Sequence, residues 1–312
     1  MTDLRLSINT NPLVNRFAEP DHLIETIADR IGCGYVQLTP EFINPSWPAS
    51  TLRRIAREFD RALTRKGVRV TSIMTSTYFR LNHFGHPDPE VRAYYLNWFR
   101  TMADLAADIG AESIGSQFAI LTQRDFDDPT RRSARVAQVI DCWHGVADHA
   151  KAAGLNYLYW EPMSVGREFG HTIAECRRMD AMLAAQNFAL PLKMIVDIDH
   201  GDVTSADPAD TDPYAWAAAF PSRSPIIHVK QSSMNKGGHW PFTAQHNREG
   251  RIQPEKLIRT VRDAGGTDNE ICLELSFRER EPTDSHVVEM MAESVAYWAP
   301  HIDTGLNRGA AA

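Results

Sequence analysis

Apolar residues fall along this chain in eight short runs, at 4–8, 35–38, 68–74, 113–118, 155–160, 193–198, 226–230 and 270–275. Longer amphipathic stretches lie between and after them, at 21–31, 52–66, 91–109, 132–153, 173–186, 213–220, 254–264 and 285–299. The runs have the β-branched and aromatic content of strands, and the stretches place apolar residues at helical spacing. Gly32, Gly67, Gly110, Gly154 and Gly265 stand where these helices end, a position at which a left-handed cap favours glycine. Lys193-Met194-Ile195-Val196 and Ile226-Ile227 are apolar at consecutive positions, as in strands covered on both faces of a parallel sheet. Eight strand–helix units in 312 residues predict an α/β fold, a (β/α)8 TIM barrel forming a single domain over 1–305. The competing open, doubly wound sheet calls for a glycine-rich turn after the first strand, and that strand leads instead into Asn9-Thr10-Asn11-Pro12. Residues 306–312, which finish on Gly309-Ala310-Ala311-Ala312, read as a flexible tail.

Composition changes this picture little. Hydrophobic residues at 43% and charged residues at 23% are the ordinary mix of a folded protein. A net charge of −7 opposes binding to nucleic acid or to an anionic membrane surface. Cys33, Cys142, Cys176 and Cys272 lie far apart with no C-x-x-C pair, which argues against a zinc knuckle or a disulfide framework and suits a reducing cytoplasm. No run approaches the roughly 18 apolar residues of a membrane span, and the start has no signal-like basic and apolar sequence. A cytoplasmic protein with no membrane and no nucleic-acid partner is expected.

In a barrel of this kind the site lies at the carboxyl ends of the strands, so polar residues closing apolar runs are the candidates. Four do so on the last four runs: Glu161, Asp197, His228 and Glu274. The steps of 36 and 31 residues between the first three are each about one strand–helix unit, and the longer step of 46 to Glu274 contains the polar, glycine-bearing stretch 234–251. Any one acidic residue at a strand end is often a helix cap or an ion-pair partner. A buried histidine is often a satisfied core residue, so the shared register of all four carries the argument. Three carboxylates and an imidazole converging there would raise one another's pKa unless a cation lay between them. One divalent metal ion resolves the conflict, Mn²⁺ or Mg²⁺ first for so many oxygen donors and Co²⁺ or Zn²⁺ next. His200, Arg167, Glu168, Lys230 and Arg278 follow these four closely and are candidate substrate contacts, the cations among them suited to a phosphate. Asp199 reads as a rim charge. Tyr94, Tyr95, Trp98, Phe99, Met290 and Met291 read as helix packing. There is no nucleophile elbow and no P-loop.

These motifs resemble the xylose-isomerase-like sugar isomerases and epimerases, (β/α)8 barrels that use one divalent metal. The likeness spans nearly the whole chain and is carried by Trp160-Glu161-Pro162-Met163, by Asp197 with His200 three residues on, by His228-Val229-Lys230 and by Leu273-Glu274-Leu275. It implies that Glu161, Asp197, His228 and Glu274 hold the metal, that Glu161 and Glu274 are also the catalytic acid and base, and that His200 contacts substrate. Members that epimerise free ketohexoses carry a substrate-binding glutamate six residues past the first metal glutamate. Here that place is Arg167, and Glu168 comes one later, a departure compatible with a phosphorylated substrate. The implied reaction is 3-epimerisation of a ketose or ketose phosphate by two-base proton transfer through a metal-stabilised cis-enediolate. Aldose–ketose isomerisation, or an inosose- or hydroxypyruvate-type isomerisation, uses the same residues and stays open. A metal-dependent phosphodiesterase needs further histidine ligands on the early strands, where the chain offers Asn9, Thr39, Glu41, Thr75, Ser76 and Gln117. A non-catalytic sugar-binding barrel has no need of paired bases. The resemblance also implies a small-molecule sugar or sugar-phosphate partner and a homo-oligomer, with Trp98 and Trp143 either at its interface or in the core.

Overall fold

The computed structural model describes residues 4–233, 238–278 and 280–306. Its strands are β1 (Arg5–Asn9), β2 (Tyr35–Leu38), β3 (Arg69–Met74), β4 (Ser113–Gln117), β5 (Tyr157–Glu161), β6 (Leu192–Met194), β7 (Val196–Asp197), β8 (Ile226–Val229) and β9 (Glu270–Leu273). All pairs are parallel, in the order β6-β5-β4-β3-β2-β1-β9-β8-β7. The two ends of that order are consecutive in the chain. The expected single run at 193–198 is therefore corrected to two strand segments, divided at Ile195. Up to Met194 the backbone pairs with β5, and from Val196 it pairs with β8. The Ile195 N–H still donates to Trp160 O at 2.9 Å and that of Ile198 to His228 O at 3.3 Å, so the ring closes through a strand that changes partner. The result is a barrel of eight staves with nine strand segments. Every residue of β4, β5, β8 and β9 is buried, as strands enclosed between a barrel interior and a helical coat must be.

The coat comprises α1 (Pro20–Glu25), α2 (Ala49–Lys66), α3 (Pro89–Asp108), α4 (Gln123–Asp127), α5 (Pro129–Ala153), α6 (Ile173–Ala184), α7 (Pro213–Ala219), α8 (Ala244–Asn247), α9 (Pro254–Asp263) and α10 (Val287–Trp298). α1 runs on as a wider π turn over Thr26–Ile31. α3 and α5 start two and three residues before the expected 91 and 132, because each opens on a proline, whose missing N–H costs nothing in a first turn. Asp128 caps α5, accepting from the N–H groups of Thr130 and Arg131 at 2.9 and 3.1 Å. At its other end Gly154, at φ +95°, turns its N–H back to Ala150 O and Lys151 O. Trp98 and Trp143 are both in the core, Trp143 donating from Nε1 to Phe118 O at 3.0 Å. At the amino end of the barrel the buried Glu270 carboxylate accepts from Ser7, Thr71 and Arg5, which keeps its charge away from the opposite, carboxyl end. Among the described residues no helix is long and apolar enough to cross a membrane. Of the expected tail at 306–312, residues 307–312 lie outside the described residues.

Candidate active site

Parallel register brings the last four staves' polar ends to one level. Glu161 ends β5, Asp197 ends β7 directly beside His228 of β8, and Glu274 follows β9, its N–H donating to Val229 O at 2.9 Å. One donor atom from each of Glu161, Asp197, His228 and Glu274 can be chosen so that all lie within 4.8 Å of one another. His228 Nδ1 is 2.8 Å from Glu161 Oε1 and 3.6 Å from Glu274 Oε2. Its other nitrogen, Nε2, is 2.9 Å from Gln37 Oε1, which also accepts from Asn9 Nδ2 at 2.7 Å. Two donors on one oxygen fix the Gln37 amide, so Nε2 carries the proton and Nδ1 is the ring atom presented to the carboxylates.

The electrostatics of this cluster follow from burial. Burial raises the Glu274 carboxyl, with Glu161 and Asp197 adding to the effect, and its pKa is pushed up to about 8 against the opposing pull of His228 and Lys230. Burial alone would favour a neutral His228, but Glu274 and Glu161 drive the imidazole well above its ordinary range. Asp197 goes the other way: burial opposes its charge, yet His200, Lys230 and the neighbouring histidines hold it well below the usual carboxylate range. Lys230 is completely buried with its ammonium on Asp197 and on His239 Nε2, the latter at 2.8 Å. That ammonium, with burial, pulls His239 far below an ordinary histidine.

Among the described residues Glu274 Oε2 is buried and has no hydrogen-bond partner. His228 Nδ1 at 3.6 Å and Lys230 Nζ at 3.7 Å are both too far to hydrogen-bond it, so this carboxylate oxygen beside Glu161 has unused capacity for a cation. Three oxygen donors and one nitrogen match a hard divalent cation such as Mn²⁺ or Mg²⁺. Asp197, His200, His239 and Glu274 form a second, overlapping set within the same 4.8 Å.

The cluster opens on a cavity of about 420 Å³ lined by Glu161, Glu274, His200 and His239, with Gln117 at the end of β4 beside Glu161 and Thr75 just past β3. His200 is held by Asp197 Oδ2 at 3.1 Å and by Pro162 O at 3.1 Å. Asp199 lies on the cavity wall, bound by Arg251 and by Ser232 Oγ. The remaining expected contacts lie elsewhere. Lys230 is beneath the wall on Asp197. Arg167 and Glu168 sit on the short turn Gly166–Glu168 outside the lining, with the buried Glu168 carboxylate engaging both Arg167 and Arg80. Arg278 is 89% exposed and 3.8 Å from Glu281, away from the cavity.

Three residues escaped the sequence reading. His239 falls in the polar, glycine-bearing stretch 234–251, where nothing sets it apart from other loop histidines. Gln37 had a usable signal, a polar side chain inside a run otherwise fit for burial on both faces. Arg80, which lines the cavity, had none.

A family model described as a xylose isomerase-like TIM barrel matches residues 26–299. The D-erythrulose 1-phosphate 3-epimerase of Brucella abortus (strain 2308) is 64% identical over 302 residues, covering 97% of each chain. The crystal structure of a candidate xylose isomerase from Rhodospirillum rubrum ATCC 11170 superposes with a TM-score of 0.83 at 25% identity, over 95% of this chain and 99% of that one. The D-psicose 3-epimerase of Clostridium cellulolyticum H10, solved with D-tagatose, shares the fold at a TM-score of 0.67 and 12% identity, over 96% of this chain and 100% of its own.

Proposed function

The chain belongs to the xylose isomerase-like TIM barrel family, and from that membership and the geometry of its cavity we infer a metal-dependent 3-epimerase that interconverts L- and D-erythrulose 1-phosphate. The observation that carries this reading is the 64% identity, over 97% of both chains, to an enzyme of that name. The cavity supplies a chemistry consistent with it.

Glu161, Asp197, His228 and Glu274 are the proposed ligands of one Mn²⁺ or Mg²⁺, which when bound supplies Lewis-acid polarisation of a ketone oxygen. Glu161 and Glu274 reach the cavity from the fifth and eighth staves. In the proposed reaction one of them takes the proton from carbon 3, beside the ketone at carbon 2. The other delivers a proton to the opposite face, so one carboxyl ends the turnover protonated and the other ionised. His200 lines the cavity as a proposed substrate contact, its ring fixed by Asp197 and the Pro162 carbonyl. Lys230 keeps Asp197 charged from beneath. The same reading carries a homo-oligomer and a cytoplasmic place of work, which suits four free cysteines.

Proton NMR of the Mg²⁺-loaded protein in D₂O with erythrulose 1-phosphate tests this. Deuterium is expected at carbon 3 together with inversion, and Glu274→Gln is expected to reduce both by at least about 100-fold, the scale of a lost general acid or base. Exchange without inversion would replace the epimerase with one-base isomerase chemistry. Absence of exchange in the unaltered protein would discard the substrate.

A further inference from the structure

The proposed substrate is a phosphate ester, and its dianion has to be accommodated in a cavity whose wall already carries carboxylates. We propose that Arg80 anchors the phosphoryl group and so determines the preference of this site for a phosphorylated over a free ketose; the inference rests on the function proposed above.

Among the described residues Arg80 is the one lysine or arginine side chain that lines the cavity. It lies just after the short turn Thr77–Phe79 that follows β3, four staves around the barrel from the β8 stave of His228. The cavity is therefore lined by a cluster suited to a metal and a ketone and, from a different stave, by a guanidinium. Asp199, the other acidic residue on the wall, already has its own cation in Arg251.

Arg80 is held in place without being neutralised. Its Nη2 reaches the Glu168 carboxylate, which is 1% exposed and is shared with Arg167 at 3.1 Å. Two guanidinium groups on one buried carboxylate leave a local surplus of one positive charge. Among the described residues the Nη1 and Nε of Arg80 meet no acceptor, which leaves two N–H directions of a planar fork free for phosphate oxygens. Thr77, on the same wall, adds a hydroxyl. Glu168 thus acts as a positioning residue for Arg80 without itself reaching the cavity.

The test compares wild type, Arg80→Ala and Arg80→Lys, all full-length and Mg²⁺-loaded, in the D₂O exchange assay with erythrulose 1-phosphate and with unphosphorylated erythrulose. Arg80→Ala is expected to lower kcat/KM for the ester on the order of 100-fold, chiefly through KM, and that for free erythrulose by less than about threefold. Arg80→Lys should recover part of the loss, since it restores the charge but not the fork. Equal losses on both sugars would overturn the inference. Should wild type exchange neither sugar, the functional reading fails by itself, and calorimetric titration with inorganic phosphate then decides the anchor. Affinity at least about tenfold weaker in Arg80→Ala would sustain it, and unchanged affinity would overturn it.

Discussion

A neutral imidazole has one N–H, and in this site Gln37 decides which nitrogen carries it. The Gln37 oxygen takes hydrogen bonds from Asn9 and His228, and its amide nitrogen donates to Ser72 Oγ at 3.3 Å, so every polar atom of the side chain is occupied. Gln37 is completely buried, and rotating its amide would leave donors facing donors at a cost of a few kcal/mol. His228 is thereby locked with Nδ1 toward Glu161. Gln37→Leu removes that lock while keeping a similar volume, and the expected result is Mn²⁺ affinity weakened by about 10- to 100-fold, the usual cost of losing the partner of a ligating histidine. Isothermal calorimetry measures the affinity, and the melting temperature of the metal-free variant separates the effect from general damage. Unchanged affinity would mean that the carboxylates alone orient the ring. The four polar strand ends were legible in the sequence because each closes an apolar run. The partner of His228 was not, since β2 and β8 are 191 residues apart in the chain at this contact and only barrel closure brings them together.

At the scale of the element, the turn leaving β7 shows how tightly the scaffold sets the cavity wall. It carries Asp199 and His200 toward the site and then passes under the turn Pro208–Thr211, where a Cβ on Gly201 would collide with Asp210 O and come within 2.9 Å of Trp216 Nε1. That carbonyl is already fixed by the Trp216 indole at 2.9 Å, and the buried Asp210 side chain accepts from the Ile173 N–H and Ser205 Oγ. Neither wall can yield cheaply. Gly201→Ala is expected to cost about 1–3 kcal/mol of stability and to lower kcat/KM by displacing His200, measured by urea unfolding and the exchange assay. A variant as stable and as active as wild type would show the turn to be more pliable than its contacts imply. Element order was the most legible part of the sequence, because glycine caps and buried apolar runs mark the ends of strands and helices. The boundaries that differed have local causes. Prolines at the starts of α3 and α5 extend the helices past where apolar periodicity begins, and the exchange of partners at Ile195 leaves no mark in a run that is apolar throughout.

For the whole molecule the decisive quantity is the charge that eight staves focus on one end of the barrel. Without a cation the fold relieves the crowding by protonation, with Glu274 raised to about 8 and His228 raised well above its ordinary value. A group whose folded pKa lies above its unfolded one adds stability that is complete below the unfolded pKa and is lost as pH rises through the folded pKa. For Glu274 that window runs from 4.5 to about 8, and His228 acts in the same direction. The metal-free protein should therefore become less stable from mildly acidic to mildly alkaline pH. A bound divalent cation needs an ionised Glu274 and a neutral His228, so binding displaces their protons and grows tighter over the same range. The two trends diverge with pH. Free metal at about 100 times its Kd adds about 2.7 kcal/mol, or several degrees of Tm for a chain of this length, and the difference should widen from pH 6 to pH 8.5. Thermal unfolding with Mn²⁺ or with chelator across that interval measures it, and Glu274→Gln, which cannot ionise, should flatten the metal-free curve. A separation between the two conditions that ignores pH would show that the cation binds without discharging these groups, and a protein whose melting is indifferent to chelator at every pH would remove the metal from the proposed chemistry.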